Sequence, residues 1–146
     1  KIELAGQSFV DAGLPLAPYP SAEARPANGE LRLLSPASQW LLNSSYGNDP
    51  KILKQLGCNK AYINTVDADR LGLRNGTVAR LANDVDEIKL EIGIANDVPA
   101  GVVLVYKGHW SEPGSPFNIN ALNAGRKSDL ADSCAVHSIN VSVSIS

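Results

Sequence analysis

The sequence predicts a mainly β domain, closed as a barrel or packed as a sandwich, with a few short helices. Three observations carry this. Ile88, Leu90, Ile92 and Ile94 alternate with Lys89, Glu91 and Gly93, and Ile139, Val141, Val143 and Ile145 alternate with Asn140, Ser142 and Ser144. A period of two marks a strand with one buried face. Twelve glycines and nine prolines interrupt the 146 residues too often for long helices. Finally, about six strand-like segments follow one another at spacings typical of small barrels and sandwiches.

Taken in order, the chain opens with a segment unlike the rest. Gly13-Leu14-Pro15-Leu16-Ala17-Pro18-Tyr19-Pro20 and Ala24-Arg25-Pro26-Ala27-Asn28-Gly29 hold neither a helix nor a central strand. Residues 1–30 therefore read as an extended arm arriving from an upstream domain, and residues 31–146 as the folded unit. Leu31-Arg32-Leu33-Leu34 is a short strand stopped by Ser35-Pro36, and Ala61-Tyr62-Ile63 and Val78-Ala79-Arg80-Leu81 are two more. Val102-Val103-Leu104-Val105-Tyr106 is apolar throughout, the pattern of a strand buried on both faces. Asp49 caps a short helix with Pro50 in its first turn and Gly57 at its end, and Thr65 caps a second that Gly72 closes. Asn75-Gly76 supplies a positive-φ turn into the next strand. Asp67-Ala68…Gly72…Gly76-Thr77-Val78 echoes Asp97-Val98-Pro99-Ala100-Gly101-Val102-Val103, as barrels with internal pseudo-symmetry do.

Composition excludes several function classes. A hydrophobic fraction of 44% excludes a disordered chain, and no apolar run is long enough to cross a bilayer. With 13 Lys+Arg against 15 Asp+Glu, and charged residues at 19%, nothing suggests a nucleic-acid surface. Residues 31–146 carry 11 charges of each sign, so a ligand of the folded part is not held by bulk field. The chain has no Met and begins with Lys1, the pattern of a processed chain or a piece of something longer, and no compartment is legible. Cys58 and Cys134 permit at most one disulfide.

Two segments concentrate polar chemistry. Ser35-Pro36-Ala37-Ser38-Gln39-Trp40-Leu41-Leu42-Asn43-Ser44-Ser45-Tyr46-Gly47-Asn48 follows a strand and holds hydroxyls and amides without a single charge. Such groups suit neutral hydrogen bonding to phosphate oxygens, sugar hydroxyls or a base edge, with Trp40 and Tyr46 offering stacking faces; equally, Ser and Asn populate turns for local reasons. Gly108-His109-Trp110-Ser111-Glu112-Pro113-Gly114-Ser115-Pro116-Phe117-Asn118-Ile119-Asn120-Ala121-Leu122 is long and without periodicity, as binding loops are. Asn120 sits among apolar residues, where its amide needs partners. Cys134 and His137 have ligand-like spacing, but a zinc site needs four ligands, or three and water, and no second pair lies nearby. No hydrolase elbow or common phosphate loop is present, and Asp67/Asp69 and Asp84/Asp86/Glu87 read as solvated acids at helix and turn positions. Three sequons, at Asn43, Asn75 and Asn140, matter only in a eukaryotic secretory setting.

Read together, these segments resemble the C-terminal domain of the molybdopterin oxidoreductases of the dimethyl sulfoxide reductase-like family. The resemblance lies in Leu42-Asn43-Ser44-Ser45-Tyr46-Gly47-Asn48 after a strand and Ser35-Pro36, and in the run from Ile63-Asn64-Thr65 to Gly76-Thr77-Val78. It continues in Val98-Pro99-Ala100-Gly101-Val102-Val103, Gly108-His109-Trp110, Asn120-Ala121-Leu122, and Ala135-Val136-His137 before Val141-Ser142-Val143. The arm, with Lys1-Ile2-Glu3-Leu4 and Gly13-Leu14-Pro15-Leu16-Ala17-Pro18-Tyr19, is similar to that family's run-in.

The resemblance implies a double-psi β-barrel binding the guanosine-bearing part of a bis(molybdopterin guanine dinucleotide) cofactor with molybdenum or tungsten, shared with upstream catalytic domains. It implies Ser35, Ser38, Trp40, Asn43, Ser44, Ser45 and Asn120 as contacts to phosphate, ribose and guanine, with His137 a further contact. Several relatives place Arg or His in the first loop, where this chain has Ala37, Ser38 and Gln39. The family's metal ligand lies in an earlier domain, so no catalytic or metal-binding residue is expected here, and Cys58 and Cys134 are expected to pack. The resemblance further implies electron-transfer subunits as partners of the parent, no nucleic acid, no membrane insertion by this chain, and a bacterial or archaeal cytoplasm or periplasm. The rival from another class is a freestanding double-psi barrel acting as a protein-interaction module, which would show an exposed apolar patch and no use for the Ser/Asn loop.

Overall fold

The computed structural model describes residues 7, 11–13, 26, 27, 29–109, 118–127, 132–134, 136 and 139–146. Most of the arm, 1–30, and His137 lie outside the described residues.

Six strands close into one barrel in the order β1-β5-β2-β4-β3-β6. They are β1 (Glu30–Leu34), β2 (Lys60–Ile63), β3 (Val78–Ala82), β4 (Glu87–Ile94), β5 (Val102–Leu104) and β6 (Ile139–Ile145). β1 runs parallel to β5 and β2 parallel to β4; the other four pairs are antiparallel. β5 sits between β1 and β2, and β2 between β5 and β4, so each consecutive strand pair is split by a strand of the other. This interlocked pair of crossovers makes the fold a double-psi β-barrel. Helix α1 (Pro50–Leu56) lies between β1 and β2, and α2 (Thr65–Leu71) between β2 and β3.

The alternating residues line the barrel as their period requires. Leu31, Leu33, Ile63, Leu81, Ile92 and Val141 are all within 1% of complete burial. At about 25 cal/mol per Å² of apolar surface, each such side chain contributes roughly 1.5–3 kcal/mol, so a short-stranded barrel holds without disulfides. Accordingly, Cys58 and Cys134 are free thiols; both are exposed, contrary to the expectation that they pack, because each sits in a loop beyond a strand end.

Three local expectations need correction. Asn64, one residue before Thr65, caps α2: its side chain accepts the Val66 N–H at 3.0 Å, and its amide donates to the Val98 carbonyl at 2.8 Å. The apolar run after Val102 is not covered on both faces; Val103 and Val105 are buried while Val102, Leu104 and Tyr106 face outward with partial exposure, since a barrel has only one inside. The repeat seen in sequence is also not the symmetry of the fold. The pairing pattern maps onto itself only when β1, β2 and β3 exchange with β4, β5 and β6, whereas the sequence echo would equate the entries to β3 and β5.

The register decides where the loops gather. β1, β3 and β5 end, and β2, β4 and β6 begin, at one end of the barrel. The two polar segments, which leave β1 and β5, therefore emerge side by side although about 70 residues separate them. At the opposite end, Asp67 of α2 is only 3% exposed; its Oδ2 accepts the Gly101 N–H at 2.6 Å and its Oδ1 the Arg70 guanidinium at 3.0 Å.

Candidate nucleotide-binding site

Beyond the last rungs of β1 and β5 the two chains stay together. The Val105 N–H donates to the Leu34 carbonyl at 2.9 Å and the Lys107 N–H to the Pro36 carbonyl at 3.0 Å, and Ala37 bridges Lys107 in parallel. The segments then converge again at Gly108. A Cβ on that residue would lie 2.3 Å from the Asn43 carbonyl oxygen, and its φ of +100° is one that L side chains rarely adopt. Only glycine permits this approach, which locks the first polar loop to the second.

The first loop is held by its own turns. The Ser38 hydroxyl oxygen accepts the Trp40 N–H at 3.2 Å, which leaves its proton to donate elsewhere. Leu41 is buried and anchors the loop, while Asn43 and Tyr46 both take positive φ, at 54° and 67°. Ser45 donates its N–H to the Leu42 carbonyl at 3.0 Å, which closes the tight turn carrying Asn43 and Ser44.

Between these segments lies a cleft of about 370 Å3, walled by Ser38, Gln39, Trp40, Gln55, Asn59, Tyr62, Tyr106 and His109, with Ala37, Leu56 and Cys58. Its size is at the lower end of small-ligand sites. No Lys, Arg, Asp or Glu lines it. The Tyr62 and Tyr106 rings meet edge to face with centroids 6.2 Å apart. Tyr62 is placed by Gly93, its cross-strand partner, whose missing side chain makes room for the ring: a Cβ there would lie 2.7 Å from the Tyr62 Cδ1. Asn59 donates its amide to the Tyr106 carbonyl at 3.2 Å. Burial lowers the His109 pKa from its ordinary 6.5, so the imidazole is neutral at neutral pH.

A second cleft of about 240 Å3 opens at the same end, lined by Glu30, Asn83, Asp84, Asn123, Arg126 and Asn140, among others. It borders the one-turn 3-10 helix Ile119–Leu122, whose Leu122 carbonyl accepts the Asn83 amide at 2.7 Å.

The expected contacts are thus distributed over one end of the barrel. Ser38 and Trp40 line the first cleft. Ser35 is half-buried directly after β1, and Asn43, Ser44 and Ser45 are exposed on the adjoining turn. Asn120 is exposed on the 3-10 helix, its N–H taken by the Asn118 side chain; neither cleft includes it among its walls. Sequence reasoning did not single out Asn59, Tyr62 or Tyr106. The only available signal was that Tyr106 directly precedes the second polar segment; the roles of Tyr62 and Asn59 depend on barrel register.

The donor set fits a nucleotide-bearing cofactor: a charge-free, aromatic and amide-rich cleft of small-ligand size, beside an exposed turn of hydroxyls. Comparison with known proteins agrees. The family described as "Molydopterin dinucleotide binding domain" matches residues 31–140. The chain is a member of that family. It is 29% identical over 144 residues to the probable oxidoreductase YoaE of Bacillus subtilis, covering 98% of this chain and 21% of that protein. It is 32% identical over 107 residues to the dimethyl sulfoxide reductase DmsA of Escherichia coli, covering 70% of this chain and 13% of that protein. The chain thus spans about a fifth or less of the length of these relatives. In fold it is similar to acetylene hydratase from Pelobacter acetylenicus, with a TM-score of 0.78 and 16% identity over 94% of this chain and 22% of that one. The barrel is therefore a molybdopterin dinucleotide-binding domain, and the freestanding interaction module is set aside. Among the described residues, no helix is long and apolar enough to cross a membrane.

Proposed function

We propose that this chain holds the guanosine-bearing part of a bis(molybdopterin guanine dinucleotide) cofactor in a molybdenum or tungsten oxidoreductase, as its C-terminal domain, with the metal ligand and substrate site in upstream domains. The observation that carries this is the family match over residues 31–140 falling on a barrel whose loop end presents neutral donors at Ser38, Asn43, Ser44 and Ser45. When bound, the metal–pterin group supplies the redox chemistry. The residues of this chain bind, orient and shield. The Ser38 hydroxyl and the amides of the loop donate to phosphate or sugar oxygens, Trp40 offers a ring face, and Asn120 and His137 extend the contact surface. Neutral donors recognise hydrogen-bond pattern and shape, and a site built on them discriminates where a basic cluster only attracts. Electron-transfer subunits would dock on the parent protein and not on this loop end.

The test is made on the full-length protein carrying its cofactor. Metal content, pterin content and the nucleotide released by hydrolysis are measured for the native protein and for a variant with Ser38, Asn43, Ser44 and Ser45 replaced together by glycine. Guanosine monophosphate from the native protein, with cofactor retention reduced about tenfold or more in the variant, is the expected result. Equal retention overturns the reading.

A further inference from the structure

Resting on that reading, we infer that the first cleft is the pocket for the nucleotide's base, with the phosphates outside it on the exposed turn of residues 43–45. Three of the eight aromatic side chains in the sequence, Trp40, Tyr62 and Tyr106, converge on this one cleft. Trp40 and Tyr106 keep 40% and 37% of their surface exposed, as ring faces open to a ligand do. Base–aromatic stacking contributes strongly to nucleotide binding and needs a flat, uncharged partner. A phosphate would find no cation in the lining.

The edge of the base is read by Asn59. Its Nδ2 is committed to the Tyr106 carbonyl, which sets the amide's orientation, and its Oδ1 accepts no hydrogen bond from the described residues. The atom left for a ligand is therefore an acceptor. Guanine presents two adjacent donors, N1–H and the 2-amino group, whereas a phosphate diester offers acceptors only. Asn59 is thus a specificity-determining contact for a base with an N–H edge, and Tyr106 serves twice, through its ring and through the carbonyl that orients Asn59.

A charge-sign experiment separates base from phosphate. In the full-length holoprotein, Gln55→Glu and Gln55→Lys alter a cleft-wall residue for which the structure prints no hydrogen bond, and guanine nucleotide per polypeptide is counted after hydrolysis. With the base in the cleft, both variants stay within about threefold of the native protein; with phosphate there, Glu expels and Lys tightens, differing by about tenfold or more. A split of that size overturns the assignment. Asn59→Ala, which removes the acceptor, lowers guanine retention about tenfold, and Tyr106→Ala, which keeps the carbonyl but removes the ring, does the same. Native retention in both variants also overturns it, and a thermal denaturation curve for each confirms that the fold survives. A native protein that yields no guanine nucleotide at all refutes the proposed function; one that yields guanine but ignores these substitutions refutes only the base pocket.

Discussion

Replacing Asp67 by alanine tests how the two ends of the barrel depend on each other. The carboxylate is 3% exposed and accepts two hydrogen bonds: Gly101 N–H at 2.6 Å and the Arg70 guanidinium at 3.0 Å. Gly101 in turn offers its carbonyl to the Arg32 N–H at 2.8 Å, so one side chain ties α2 to the turn before β5 and, through it, to β1. A hydrogen bond to a charged group is worth about 1.5–3 kcal/mol, and truncation leaves the Gly101 N–H unsatisfied. The Arg70 guanidinium is 42% exposed, so its ion pair adds at most about 1 kcal/mol. Asp67→Ala should therefore destabilise by about 2–4 kcal/mol, and Asp67→Asn, which keeps an acceptor for Gly101, by about 1 kcal/mol. Urea denaturation gives the two values, and amide hydrogen exchange reports the Gly101 N–H directly. An alanine variant within about 0.5 kcal/mol of the native protein, with Gly101 exchange unchanged, would refute this account of the tie.

Four further outcomes are expected. Gly108→Ala forces a Cβ into the Asn43 carbonyl at positive φ, so it should cost about 2–4 kcal/mol in thermal or chemical denaturation and loosen cofactor retention, as the two loops can no longer touch. Gly93→Ala meets only the Tyr62 ring and carries no backbone strain, so the ring can swing away; a loss of about 1–2 kcal/mol and a shifted Tyr62 ring signal by NMR are expected. Asp49→Ala removes the cap that accepts the Lys51 and Ile52 N–H groups, at 2.8 and 3.3 Å, for a loss of about 1 kcal/mol that urea denaturation would measure. His109 titrates below 6.5 in the folded protein because burial disfavours its charged form, so the unfolded chain binds the proton first as pH falls. Its contribution is complete above 6.5 and is lost as pH drops through the lower folded pKa; His109→Gln should flatten that part of the acid limb, and an NMR titration midpoint at or above 6.5 would contradict it.

The strands were legible because a barrel wall imposes its period on each one: Ile88, Leu90 and Ile92 had to alternate with polar neighbours wherever the strand sat. The helix ends were legible to within a residue, since Asp49, Gly57 and Gly72 act on their own turns. At α2 the choice between Asn64 and Thr65 depended on a distant partner, the Val98 carbonyl, which no local pattern contains. The same division holds for the site. The run of uncharged hydroxyls and amides after β1 is local chemistry and was visible in the chain. Asn59, Tyr62 and Tyr106 carry no motif; they face the cleft because β5 is inserted between β1 and β2 and because Gly93 stands beside Tyr62.

What the sequence determined by itself was therefore each segment's conformational preference and the chemistry it carries, because both depend on neighbours a few residues away. What only the tertiary structure decided was which segments share a wall. Strand order and register arise from burying six apolar faces around one interior, a condition the whole chain satisfies together and no single segment encodes.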